Sequence, residues 1–198
     1  MLEGGEGCGK DSHAKELVAY LQSMKYKVIL TREPGGTKKG EQNRKILLDK
    51  RRKLSPEQEL YLFEDARKSN YRQIIIPGLK RGEIIIKTRG WPSTIVYQGY
   101  AGGIDLDSIR ELNHQATFGI MPDLLIIIDI APEKGLEKEL QADRFAEKGL
   151  NYHKKVNAGY LSIAKDYPDF SIIVPYREGE PEAMQEQIRK ELKFRLGI

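Results

Sequence analysis

Four short runs of β-branched and other apolar residues punctuate the chain, at Val28–Thr31, Ile84–Thr88, Leu124–Ile130 and Ser171–Val174. Each is nearly continuous in apolar positions rather than alternating, which predicts strands covered on both faces of a parallel sheet. Between them the apolar positions change to helical spacing. Ala14, Leu17, Val18, Leu21 and Met24 form one stripe. Ser55-Pro56-Glu57-Gln58 reads as a capping box with proline in the first turn, opening a long helix through Leu60, Phe63 and Arg67 that is kinked or ended near Pro77. Asp105 caps a helix running to about Ala116, and Pro181 opens the last one. Strands alternating with helices in this way predict an α/β fold, a doubly wound parallel sheet with helices on both faces. Only Met1, Leu2 and Glu3 precede a glycine-rich stretch, so a first strand there is expected to be short.

The length of 198 residues fits one domain over 1–198, without repeats or linkers that would divide it. No apolar run is long enough to span a bilayer, and no secretory succession is expected at the start. Cys8 is the single cysteine and cannot form an internal disulfide, which points to a cytoplasmic location. The net charge is +4, yet 33 basic residues face 29 acidic ones, so the excess is too small to identify a partner. The run Lys50-Arg51-Arg52-Lys53 reads as a solvated surface loop. Neither a nucleic-acid nor a membrane partner is expected.

Chemistry enters at the glycine-rich stretch. Gly4, Gly5, Glu6, Gly7, Cys8, Gly9, Lys10 and Asp11 fit G-x-x-x-x-G-K-[ST] except at the last position, and Ser12 follows. Such glycines let the backbone curl with its N–H groups around phosphate oxygens, while the lysine faces the β- and γ-phosphates and the following helix adds its positive end. A triphosphate site over Gly4–Ser12 is the expectation, with Cys8 as a small filler. Asp11 stands where a hydroxyl normally meets Mg2+, and a carboxylate is a hard oxygen ligand that suits this ion.

Further segments extend over nearly the whole chain. Thr31-Arg32-Glu33-Pro34-Gly35-Gly36-Thr37, Leu62-Phe63-Glu64-Asp65-Ala66-Arg67, Ser93-Thr94-Ile95-Val96-Tyr97-Gln98-Gly99, Pro122-Asp123 with the strand ending at Asp129, and Asp143-Arg144-Phe145 followed by Tyr152-His153 are the informative ones. Together they resemble the bacterial thymidylate kinase family. The resemblance implies a P-loop fold of about five parallel strands with a small lid at 134–150, a homodimer, and Mg2+-assisted transfer of the γ-phosphoryl group of ATP to dTMP. It implies catalytic roles for Lys10, Arg89 and Arg144. It also implies an acceptor pocket of Glu6, Glu33, Pro34, Arg44, Phe63, Arg67, Arg89, Ser93, Tyr97 and Gln98. Those residue types suit a nucleotide, because guanidinium forks match phosphate, an aromatic ring stacks on a base, and an amide pairs with a base edge in either sense.

Three positions depart from the family, Asp11, Thr88 and Gly90. Thr88-Arg89-Gly90 stands where the family has D-R-Y or D-R-F, so Asp11 and Thr88 are reciprocal: carboxylate replaces hydroxyl on the loop, and hydroxyl replaces carboxylate on the strand. One reading is an exchange around a single Mg2+. A nucleotide-binding relative with impaired turnover and a monophosphate kinase with another base preference are the alternatives.

Overall fold

The computed structural model describes residues 1–139 and 143–198. Its centre is a sheet of five parallel strands in the order β2-β3-β1-β4-β5, with β1 at Leu2–Gly4, β2 at Val28–Arg32, β3 at Ile84–Thr88, β4 at Leu125–Asp129 and β5 at Ser171–Pro175. The short first strand is present, three residues long, paired with both β3 and β4.

Side chains alternate along central β4. Ile126 and Ile128 join Leu2, Ala14, Leu17, Leu21, Met184 and Ile188 beneath helices α1 (Lys10–Ser23) and α9 (Pro181–Leu196). Leu125 and Ile127 point to the other face, under Leu60, Val96, Ile109, Val156 and Tyr160. That face is covered by α2 (Lys38–Leu48), α3 (Pro56–Asn70), α6 (Leu106–Thr117) and α8 (Leu150–Asp166). Burying each such Leu or Ile stabilises the fold by about 1.5–3 kcal/mol.

Coverage on both faces holds at the centre but not at the edges. Leu30 of β2 is 43% exposed and Ile173 of β5 is 39% exposed, because each edge strand has helices over only part of its surface. Met24 likewise leaves the stripe of α1, lying past its end and exposed.

The capping box forms: Ser55 Oγ accepts from the Gln58 backbone N–H, and Gln58 Oε1 accepts from that of Ser55. Asp105 caps α6 through the Ser108 N–H. The long helix ends near Pro77, though not at the proline itself. The path widens into a π turn at Tyr71–Ile75 and continues as α4 (Ile76–Lys80), with the proline in the first turn of α4. A wider turn ahead of the ring accommodates its missing N–H. The helical elements α5 (Trp91–Thr94) with a π segment at Ile95–Tyr100, and α7 (Pro132–Lys138), complete the layers. Of the expected lid at 134–150, positions 140–142 lie outside the described residues, and Ala146–Lys148 form a 3-10 turn. The basic run 50–53 is exposed, with Lys50 paired to Glu147 at 2.5 Å and Arg51 to Asp49 at 2.9 Å.

Candidate active site

Because all strands run in one direction, the segments after β1, β2 and β3 emerge together at the carboxyl edge of the sheet, where α/β folds bind ligands. The Arg89 N–H donates to Leu2 O at 3.0 Å and the Glu33 N–H to Thr88 O at 3.0 Å, which ties the three exits side by side. Between them lies a cavity of about 410 Å3.

Residues 5–9 form the loop from β1 into α1. Gly4 has φ 146 and Gly7 has φ 63, a region side chains avoid, and a Cβ on Gly7 would meet Gly135 O of α7 at 2.2 Å. Cys8 is fully buried in the core, as a filler should be. Lys10 extends from the first turn of α1 back across the loop, its Nζ 3.3 Å from Gly5 O, and lines the cavity. Asp11 lines it too, facing the same space as Thr88 at the end of β3.

The middle of the cavity is an ion pair. Arg89 Nη2 donates to both oxygens of Glu6 at 3.0 and 2.9 Å, and the Tyr97 hydroxyl donates to Glu6 Oε1 at 2.7 Å. Burial alone would raise the Glu6 carboxyl, but Arg89, Lys10 and Tyr97 hold it down to about 2. Arg89 has φ 60, a left-handed conformation that a non-glycine residue rarely takes and that clusters at functional sites.

The far wall carries Glu33, Pro34, Arg44, Phe63, Ser93, Tyr97 and Gln98. The Glu33–Pro34 peptide is cis, and Arg44 Nη1 donates to Pro34 O at 3.2 Å. Phe63 packs against Phe145 with ring centroids 5.8 Å apart. Ser93 is turned partly away, donating to the buried Glu3 at 2.8 Å, where Tyr160 donates as well at 2.9 Å. Burial pushes the Glu3 carboxyl up.

Two predicted residues lie off this wall. Arg67, expected at the acceptor phosphate, is 1% exposed and spends its donors on protein: Nε on Glu33 Oε2 at 2.8 Å, Nη2 on Gly90 O at 2.9 Å, and Nη1 on Glu64 and Asn113. Burial disfavours its charge, yet Glu64 and Glu33 hold its pKa above the ordinary arginine range. Arg144, expected at the transferring group, donates to Leu47 O at 3.0 Å and Glu59 Oε1 at 2.8 Å. Phe145 and Asp143 beside it do line the cavity.

A family model described as thymidylate kinase matches residues 2–188. A thymidylate kinase from Thermoanaerobacter sp. is 38% identical over 186 residues, 93% of this chain and 90% of the relative. One from Synechococcus sp. is 36% identical over 197 residues, 100% of this chain and 95% of the relative. The crystal structure of thymidylate kinase from Ehrlichia chaffeensis superposes with a TM-score of 0.81 at 31% identity, covering 97% of this chain and 96% of that one. The chain belongs to the thymidylate kinase family.

Within that family frame, sequence reasoning passed over Glu59 and Glu3, both fully enclosed acids in contact with predicted site residues. Glu59 had a usable signal: it precedes Phe63 by four positions on α3 and so shares its face. Glu3 had none, since an acid in a stub of strand is not distinguished from a surface residue by pattern. Phe145 was visible only as the last letter of Asp143-Arg144-Phe145, yet it is this ring, rather than Arg144, that reaches the cavity.

Proposed function

We propose that the cavity is where the γ-phosphoryl group of ATP passes to the 5′-phosphate of dTMP, giving dTDP and ADP. The observation that carries this reading is the continuity of one wall. Lys10 and Asp11 of the loop side and Arg44, Phe63 and Gln98 of the far side line the same space, with the Glu6–Arg89 pair between them.

An oxygen of the acceptor phosphate forms a bond to the γ-phosphorus while that phosphorus separates from the β–γ bridging oxygen, and ADP leaves with the electron pair. Such transfer needs positioning and charge neutralisation more than covalent chemistry. Lys10 and the N-terminus of α1, over Gly4–Ser12, meet the charge of the donor phosphates. Arg89, aimed by Glu6, meets the acceptor phosphate. The Phe63 ring takes the face of the thymine, Gln98 and Ser93 its edge, and Glu6 with Tyr97 the sugar 3′-hydroxyl. Glu33, Pro34 and Arg44 close the pocket. Arg67 acts through Glu33, which it holds in place, and Arg144 through the lid at 134–150, whose closing keeps water from the reacting group.

The Asp11 carboxylate and Thr88 hydroxyl open onto one cavity, and both are hard oxygen donors that fit Mg2+. When bound, Mg2+ supplies charge neutralisation on the phosphates. The reading also takes the homodimer implied by the family and, from the lone cysteine, a reducing cytoplasm.

A coupled ADP-release assay with acceptor competition among dTMP, dUMP, AMP and CMP tests the reading. Turnover with dTMP preferred supports it; preference for a purine, or nucleotide binding without turnover, defeats it.

A further inference from the structure

Gln98 has an unusual environment for a residue expected to meet a base. It is 1% exposed, it lines the cavity, and its amide Nε2 is already committed, donating to Glu59 Oε2 at 2.9 Å. Its amide oxygen is buried with no partner among the described residues. Glu59, also 1% exposed, receives Arg144 Nη1 at 2.8 Å and Lys148 Nζ at 3.1 Å on Oε1, and Lys148 again at 3.2 Å on Oε2.

We infer that Glu59 is a positioning residue that fixes the Gln98 amide with its carbonyl oxygen toward the acceptor base, so that the pocket selects bases carrying an N–H at that edge. The inference rests on the dTMP reading and adds the residue that gives the amide its sense. A free amide offers a donor or an acceptor equally by turning over. A carboxylate only accepts, so the side of Gln98 that faces Glu59 must be its NH2. Two cations converge on the same carboxylate, Arg144 on Oε1 and Lys148 on both oxygens, and hold it in place against the amide. The buried orphan oxygen then costs free energy until a donor arrives. Thymine presents an N–H at ring position 3, whereas cytosine presents a lone pair there and would face oxygen with nitrogen. Selectivity therefore comes partly from the repulsion of the wrong base.

The wiring also gives a shared target to two charges from another segment. Arg144 and Lys148 belong to the segment around the 3-10 turn, yet they act on the base pocket through one acid.

The test is a double-variant cycle on the full chain, reading the dTMP-to-dCMP affinity ratio by calorimetry and kcat and KM for dTMP. In Glu59→Gln the new amide keeps its oxygen on the two cations and turns its NH2 to Gln98, which then flips and shows its own NH2 to the base. The ratio should fall roughly tenfold or more, mostly through KM, and in a Gln98→Leu background the same change should leave the ratio unaltered. A folded Glu59→Gln that keeps the wild-type ratio overturns the inference, as does an equal change in the Gln98→Leu background. Should Glu59→Gln fail to fold, the wild-type Gln98 side-chain amide protons decide by NMR: their signals stay in place on saturation with dTMP if Glu59 retains them, and large shifts refute the assignment. Wild-type protein that binds no dTMP defeats the dTMP reading and this inference together, whereas the variant outcomes strike the inference alone.

Discussion

The Tyr97 hydroxyl donates a 2.7 Å hydrogen bond to the same Glu6 carboxylate that Arg89 grips with Nη2. Three segments distant in sequence, the glycine-rich loop, the end of β3 and the π segment after α5, therefore meet on one negative charge. The acid lies in the cavity lining beside Arg89 and Tyr97 and fixes the Arg89 guanidinium there.

That arrangement makes stability depend on pH in a stated direction. The Glu6 pKa is depressed in the fold, to about 2 from the ordinary 4.5. Its contribution is fully present above about pH 4.5 and is lost as the pH falls toward about 2. Glu6→Gln leaves Arg89 partly buried without a counter-charge and should destabilise by roughly 3 kcal/mol at pH 7. Urea unfolding of both proteins across pH 2–7 is the check, and the gap between them should close in acid.

Among the described residues Lys10 Nζ makes two long contacts, donating to Gly5 O at 3.3 Å and to Cys8 Sγ at 3.9 Å. Lys10→Met should therefore cost turnover rather than folding. We expect kcat to fall roughly 100-fold or more, as for removal of a donor aimed at developing charge, with an unchanged melting temperature. A matching loss of Tm would assign the lysine to structure instead.

The reciprocal types at Asp11 and Thr88 call for a cycle of their own. Asp11→Thr and Thr88→Asp should each weaken Mn2+ binding to the ATP complex, read by electron paramagnetic resonance, and lower turnover. The double variant should recover most of both. Losses that simply add would mean that the two side chains do not share an ion.

Phe63 contributes a ring face to the cavity and a contact with Phe145. For Phe63→Ala we expect KM for dTMP to rise about tenfold with a smaller change in kcat, the pattern of lost ground-state binding. Steady-state kinetics at saturating ATP measure it.

The elements were legible wherever one period dominated. Continuous apolar runs gave β3 its full span, and the Ser55 and Asp105 caps marked their helices, because these signals are local. Near Pro77 the local rule gave the neighbourhood but not the detail: the regular α-helix stops at Asn70, a π turn follows, and the helical path ends at Lys80, three residues past the proline. The edge strands misled because order within a sheet is not written in any one strand. At the site, motif letters identified most residues of the cavity wall but not the direction in which they point. Arg67 and Arg144 look alike in sequence to Arg89, yet each is turned away by buried acids that only the packing brings near. Glu59 went unnoticed for the same reason, since its partners lie on the π segment after α5 and around the 3-10 turn.

The contact between Gly7 and Gly135 sets a limit on how far the phosphate-loop signature can travel. A Cβ on Gly7 would meet Gly135 O at 2.2 Å, and one on Gly135 would meet Glu6 O at 2.4 Å, so loop and α7 touch backbone to backbone with no side chain between them. Residues 4–12 grafted onto another parallel sheet would keep their own sequence but not the helix that presses on the outer side of the loop. The same nine letters would then relax into a different curve, and the cradle would have to be rebuilt together with its neighbour.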